Sequence, residues 1–330
     1  MKFEGKKILA PMVRFSTLPT RMLALEYDFD IVYGPEIVAQ RIIGSERFEE
    51  NGFIQYTKPG PEKILNFATT KEERSQLVFQ LGCSDPELAI KAAQTIKQDV
   101  DVIDLNCGCP KPFSLKGKMG AALLEDPDLL CSILTALKSE IPQVTCKIRV
   151  FDDLVKTLEL VKRINATGIS ALAVHVRTKD CKVDKTKARW DYFWPIKQVL
   201  GNTPLIANGD VFSQKDITDL KELGCDSFMT ARGAMRNLSM FRAKGNIDSE
   251  EICKAYLRKA LKYNNNYQNT KWVLLSMYPY TTSPTFRKWT KGKSLAELCS
   301  VVGITSTVDN SDPKYDSEFP YIPNPSTIKI

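Results

Sequence analysis

Eight short apolar runs, each closing on a polar or glycine-bearing turn, with helical pattern in most of the intervals, predict an α/β fold: a (β/α)8 TIM barrel followed by a helical domain. The runs are Lys7–Val13, Ile31–Glu36, Leu77–Gly82, Val102–Cys107, Val144–Arg149, Ala171–Arg177, Pro204–Gly209 and Ser227–Gly233. They are continuous rather than alternating, as strands buried on both faces require. Eight alternations over roughly 235 residues match a closed barrel better than an open doubly wound sheet. Chemistry in such barrels collects at the strand C-termini.

Local signals place the elements. Asp126-Pro127 combines a capping carboxylate with proline at the first helical position, and Asp85-Pro86 and Ser213 read similarly. About forty residues separate the second and third runs, enough for a small strand or hairpin insertion around Ile64–Ala68. After Met240 the pattern changes. Ser249-Glu250-Glu251 reads as the cap of a helix whose apolar residues Ile252, Tyr256, Leu257, Ala260 and Leu261 share one arc, with Lys254, Arg258 and Lys262 beside it. Residues 306–330 hold four prolines and little periodicity, so an irregular tail is expected there. The expected organisation is a barrel over residues 1–240, a helical domain over 241–305 and that tail.

Composition excludes several classes. Of 330 residues 43% are hydrophobic and 26% charged, ordinary for a globular protein with a sizeable core. Nine scattered cysteines, without a CxxC pair and with a single histidine to complete a ligand set, favour neither a disulfide framework nor a metal site. No apolar stretch approaches a membrane span and no signal sequence is evident, so the expectation is a cytoplasmic or nuclear monomer without membrane or metal. The formal charge is +7, yet Phe241–Lys293 alone carries eleven basic residues against three acidic. The rest of the chain is therefore close to neutral.

Candidate chemistry starts at Asp104-Leu105-Asn106-Cys107-Gly108-Cys109-Pro110, where an apolar run stops and a thiol sits on a constrained turn. The loop continues through Gly117-Lys118-Met119-Gly120, which reads as mobile and basic. Cys109 is read as a proton donor: near its ordinary pKa a thiol stays mostly protonated at neutral pH, yet can protonate a carbon held within reach. The other run ends supply Met12, Glu36, Gln80, Asn106, Lys147, Arg149, His175, Arg177, Asn208-Gly209-Asp210 and Ala231-Arg232-Gly233, which would share one pocket. The last two turns stand where barrels commonly hold a phosphate.

In order, Leu9-Ala10-Pro11-Met12, Val78-Phe79-Gln80-Leu81-Gly82, Asn106-Cys107-Gly108-Cys109-Pro110, Cys146-Lys147-Ile148-Arg149, Val174-His175-Val176-Arg177 and Ile206-Ala207-Asn208-Gly209-Asp210 resemble the motifs of flavin-dependent tRNA-dihydrouridine synthases. Val13-Arg14, Tyr33-Gly34-Pro35-Glu36 and Thr145–Arg149 look most like the eukaryotic branch acting at position 20 of the D-loop. The resemblance implies an FMN-dependent barrel, recharged by NADPH or NADH, that reduces the C5=C6 bond of a uridine in tRNA. Hydride would pass from reduced flavin to C6 and a proton from Cys109 to C5. Asn106 would help position the base, and Gln80 and Lys147 would bind the flavin ring. Pro11, Met12, Val13, His175, Asn208, Gly209, Asp210, Ala231 and Arg232 would complete the cofactor site. Glu36, Lys111, Lys116, Arg149, Arg177, Lys254, Arg258, Lys262 and Arg287 would face the RNA. Val176 and Ala231 stand where glycine is usual, and Leu238 where proline is typical, which puts the contact beside His175 in question.

The basic C-terminal stretch is interleaved with Tyr256, Tyr263, Tyr267, Trp272, Tyr278, Tyr280, Phe286 and Trp289, a mixture suited to phosphates, riboses and bases. Lys179, Lys182, Lys185, Lys187 and Arg189 extend positive charge towards the barrel mouth. Two alternatives remain at this point: a flavin barrel acting on a free pyrimidine, as dihydroorotate dehydrogenases do, and an RNA-binding barrel without catalysis.

Overall fold

Twelve strands form among the described residues 1–61, 64–181 and 185–305 of the structure, a computed structural model: β1 (Lys7–Leu9), β2 (Ile31–Tyr33), β3 (Ile37–Val38), β4 (Glu46–Glu50), β5 (Phe53–Thr57), β6 (Leu65–Thr70), β7 (Leu77–Gly82), β8 (Val102–Cys107), β9 (Gln143–Arg149), β10 (Ala171–His175), β11 (Leu205–Asn208) and β12 (Ser227–Thr230). Eight of them pair in parallel in the order β2, β1, β12, β11, β10, β9, β8, β7, and a further β2–β7 pairing closes the ring. The fold is a (β/α)8 barrel. Residues 306–330 and Lys182 lie outside the described residues, and the expectations for them stop there.

The pleat explains how continuous apolar runs build such a barrel. Alternate residues, among them Ile8, Val78, Val102, Ala171, Ala173, Ile206 and Met229, point inward and fill the barrel interior. Their neighbours Leu9, Phe79, Ile103, Leu172, Val174 and Ala207 point outward into a second apolar layer beneath the helices. Burying one such side chain stabilises the fold by roughly 2 kcal/mol.

The helix starts follow the predicted chemistry. Asp85 accepts from Leu88 N, Asp126 from Leu129 N and Ser213 from Asp216 N, each satisfying an amide the helix leaves unpaired. One cap differs from expectation: the helix Ser249–Lys262 is capped by Asp248, which accepts from Glu250 N, and Ser249 is its first residue. Several strands are shorter than their apolar runs. β1 stops at Leu9 ahead of Pro11, which has no amide to donate, and β12 stops at Thr230 because Arg232 opens a short helix. The residues released are those that turn over the barrel mouth.

The insertion is a three-stranded antiparallel sheet, β4–β5–β6. It is pinned by Arg21 and Glu73, both fully buried, in a bidentate pair at 2.9 and 2.6 Å that also reaches Ala68 O. Beyond the barrel, helices Ser249–Lys262, Tyr267–Met277, Pro284–Lys291 and Leu295–Ser300 pack together. Ile252, Cys253, Tyr256, Leu257 and Ala260 belong to the same apolar cluster as the outer barrel layer.

Candidate active site

Followed two residues at a time, the inward positions of the barrel strands begin apolar and end polar. Val78 gives way to Gln80, Val102 to Asp104 and Asn106, Ala173 to His175 and Ile206 to Asn208. Strand register brings these ends level: Gln80 pairs with Asp104, Asn106 with Lys147, and His175 with both Arg149 and Asn208. All of them except the fully buried Asp104 line one cavity of about 880 Å³, together with Pro11, Met12, Val13, Glu36, Cys109, Lys111, Lys116, Gly209, Asp210, Ala231 and Arg232. The predicted barrel set therefore converges.

The thiol is positioned by its own loop. Asn106 Oδ1 accepts from Gly108 N at 3.0 Å and Cys109 N at 3.2 Å, and Cys109 O accepts from Ala121 N at 3.0 Å. Gly120, at φ +58°, makes the return possible, since a Cβ there would lie 2.2 Å from Ser114 Oγ and 2.6 Å from Cys109 O. Burial first, and the Glu36 carboxylate second, push the Cys109 thiol up to about 11. It is a protonated group at neutral pH. Cys107 instead packs outward, with its Sγ 3.6 Å from Cys146 Sγ.

Opposite the thiol, burial and then the nearby Arg149 charge lower Lys147 to about 8, so its ammonium sits close to its titration point. Below it lies Asp104, which accepts from Gln80 Nε2 at 2.9 Å and Thr145 Oγ1 at 2.7 Å; burial raises its carboxyl to about 6. Sequence reasoning passed over Asp104 as a site residue, although it interrupts an apolar run as Lys147 does. Met235, Phe113 and Phe212 also line the cavity and had no sequence signal beyond proximity; Arg232 and Arg236 stack over the Phe212 ring at 5.3 and 4.7 Å.

Burial, then Lys147, Arg149, Arg177 and Arg232, hold His175 well below its usual range, so the ring is neutral. Arg177 Nη1 lies 3.2 Å from His175 Nε2. A guanidinium only donates, which makes Nε2 the acceptor and leaves the proton on Nδ1. Val176 is fully buried in the outer layer, so the residue at the usual glycine position turns away from the cavity.

Several residues expected to face RNA line the cavity but are also engaged within the protein. Arg149 and Arg177 are 7% and 2% exposed. Arg149 donates to Gly108 O and Thr178 O, bracing the cysteine loop, while Arg177 grips Asp210 at 2.7 and 2.6 Å. Asp210 also accepts from Arg232 and Ala188 N; burial opposes ionisation, but Arg177 and these donors hold its carboxyl below the usual range. Asn208 spends its amide on Met229 O. Glu36 lines the cavity beside Cys109, in the pocket expected for it.

Lys254, Arg258, Lys262 and Arg287 lie outside the cavity. Lys254 is held by Glu250 and Glu251 on its own helix, whereas Arg258, Lys262 and Arg287 are exposed. The C-terminal aromatics depart further from expectation. Tyr256, Tyr263, Tyr278 and Trp289 are core residues, Tyr267, Trp272 and Phe286 pack partly buried against that core, and of these rings only Tyr280, edge-on to Tyr278 at 5.4 Å, is mostly exposed, at 54%. Helix-to-helix packing consumed rings that the sequence could not distinguish from base-stacking ones.

A closed parallel barrel whose strand ends bring a protonated thiol and the Lys147 ammonium to one cavity defines a (β/α)8 barrel protein with its candidate chemistry at the strand C-termini. The family model for dihydrouridine synthase matches residues 8–281, and the chain belongs to that family. It is 40% identical to tRNA-dihydrouridine(20) synthase (NAD(P)+) of Schizosaccharomyces pombe over 83% of this chain and 60% of that protein. Identity to the Saccharomyces cerevisiae protein of the same name is 34%, covering 91% and 84%. A tRNA-dihydrouridine(16/17) synthase of Schizosaccharomyces pombe is 37% identical over 72% and 57%. The chain thus spans about three-fifths of the first of these relatives.

Proposed function

We propose that the chain reduces the C5=C6 bond of a uridine in the tRNA D-loop, at position 20, with FMN as resident cofactor and NADPH or NADH as reductant. The observation that carries this reading is Cys109, a thiol kept protonated at the mouth of the cavity on the loop after β8. The relatives named for position 20 and for NAD(P)+ support the substrate and the reductant.

The residues fit FMN. Lys147 lines the cavity, where desolvation and the Arg149 charge oppose its ammonium, so an anionic ligand beside it would be stabilised. The N1–C2 edge of the reduced ring would meet that need, with Met12 and Gln80 beside it. Gly209, Ala231 and Arg232 line the same cavity and would take the phosphate. When bound and reduced, FMN supplies the hydride that goes to C6.

Everything else falls to the chain. Cys109 gives its proton to C5 as the S–H bond breaks and the C–H bond forms, leaving a thiolate facing Lys147 and Arg149, whose charges it shares. Asn106 fixes the loop through two amides, so that the sulfur is held before substrate arrives. The target base must leave its stack to reach the cavity, at a cost of a few kcal/mol offset by backbone contacts.

The test is to incubate purified protein with unmodified tRNA transcripts and each nicotinamide, then locate dihydrouridine by site-resolved mass analysis. Product at position 20 is expected, and Cys109→Ala should abolish it while the protein stays yellow near 450 nm. No product from any transcript or from tRNA isolated without dihydrouridine would overturn the reading.

A further inference from the structure

We propose that Glu36 is the acid that returns a proton to Cys109 after each reduction, a role that rests on Cys109 being the proton donor. The backbone delivers Glu36 to the thiol. Ile37 and Val38 of β3 pair with Leu81 and Gly82 of β7, which lays the Glu36 side chain over residue 82. Gly82 leaves the carboxyl its place, since a Cβ would stand 2.6 Å from Glu36 Oε1 and 3.2 Å from its carboxyl carbon and would displace it.

The carboxyl is thereby pressed into the wall of the cavity that Asn106 and Cys109 also line. Its Oε1 is buried without a hydrogen-bond partner among the described residues. A carboxylate so placed is expensive, whereas a carboxylic acid is not. Burial raises Glu36 to about 7 against the opposing pull of Asn106 and Cys109, so both forms are populated at neutral pH. The charges facing the thiol are Glu36 from the β2–β3 turn, Lys111 from its own loop, and Lys147 and Arg149 from β9.

The proton balance closes with solvent alone. Reduction of the base breaks the Cys109 S–H bond and leaves a thiolate. The Glu36 O–H bond then breaks as a new S–H bond forms, which restores the thiol and leaves the carboxylate, and solvent at the cavity mouth reprotonates it. With the thiol at about 11 and the carboxyl at about 7, the transfer runs downhill.

Glu36→Gln keeps the shape and removes the acid. In the cofactor-loaded protein the first turnover on tRNA should match wild type, because the thiol starts protonated, while steady-state turnover at pH 8 should fall about tenfold and recover in imidazole buffer. Equal losses in the first and later turnovers would assign Glu36 to holding substrate, and no loss in either would assign it no proton; both overturn the proposal. A second measurement does not depend on tRNA: alkylation of Cys109 by iodoacetamide, followed on its own peptide, should be several-fold faster at pH 8 in Glu36→Gln and in Glu36→Ala, since losing the carboxylate lowers the thiol pKa. An unchanged rate overturns the pairing even where dihydrouridine is made, and a wild type that makes none while alkylation responds condemns the functional reading instead.

Discussion

Lys147 shows how one side chain serves the site at the expense of the fold. Its folded pKa of about 8 lies below the ordinary 10.5, so between these values the unfolded chain holds the extra proton. Stability attributable to this group therefore rises with pH from 8 to 10.5, and below 8 its destabilising effect is complete. Lys147→Met should lose cofactor, read as loss of absorbance near 450 nm, and yet raise the melting temperature of the cofactor-free protein by roughly 2 °C. A lowered melting temperature would mean that the ammonium has a stabilising partner in the fold. If Lys147 holds the reduced ring as proposed, turnover should decline above pH 8 as it loses its charge.

The loop between β8 and the helix Pro127–Glu140 carries Cys109, the proton donor of the proposed function, and its weak point is a glycine. Gly120→Ala must move either Ser114 or the Cys109 carbonyl, at a backbone φ of +58° that already disfavours a side chain. A misplacement near 1 Å costs roughly a hundredfold in rate. We expect such a loss in single-turnover dihydrouridine formation with an unchanged circular dichroism spectrum, because no barrel strand is touched. Elements of this kind were legible in the sequence where the signal is local. Apolar runs gave eight strands, Asp85, Asp126 and Ser213 gave helix starts, and a thiol after glycine marked the loop. What stayed hidden was pairing across the chain. Nothing in the string Val176-Arg177 reveals that Arg177 closes on Asp210, and nothing near Glu36 reveals that β3 would carry it over Gly82. The run containing Asp104 was recognised as a strand, but its inward phase, which decides that Asp104 lies under Lys147, follows from barrel register rather than from composition.

Under the proposed function, charge over the whole molecule would decide how RNA meets the cavity. Part of the basic surplus from Phe241 to Lys293 is already engaged within the protein: Lys254 with Glu250 and Glu251, Lys259 with Glu26, and Lys271 with Gly292 O. The helices bearing it share the apolar cluster of the outer barrel layer, so deleting them from Ser249 onward would uncover that core and confound any measurement of binding. Exposed cations can be changed without that penalty. Arg258, Lys262 and Arg287 all lie on the surface outside the cavity. Each phosphate contact contributes about 0.7 to 0.9 to the slope of log affinity against log salt, so the triple change Arg258→Gln, Lys262→Gln, Arg287→Gln should lower that slope by about 2 to 3. Filter binding of tRNA across a salt series measures the slope, while flavin absorbance and melting temperature should stay at wild-type values because none of the three residues is buried. A slope unchanged in the triple variant would move the RNA track off these helices and onto the barrel rim, where Lys111 and Lys116 stand exposed beside the thiol.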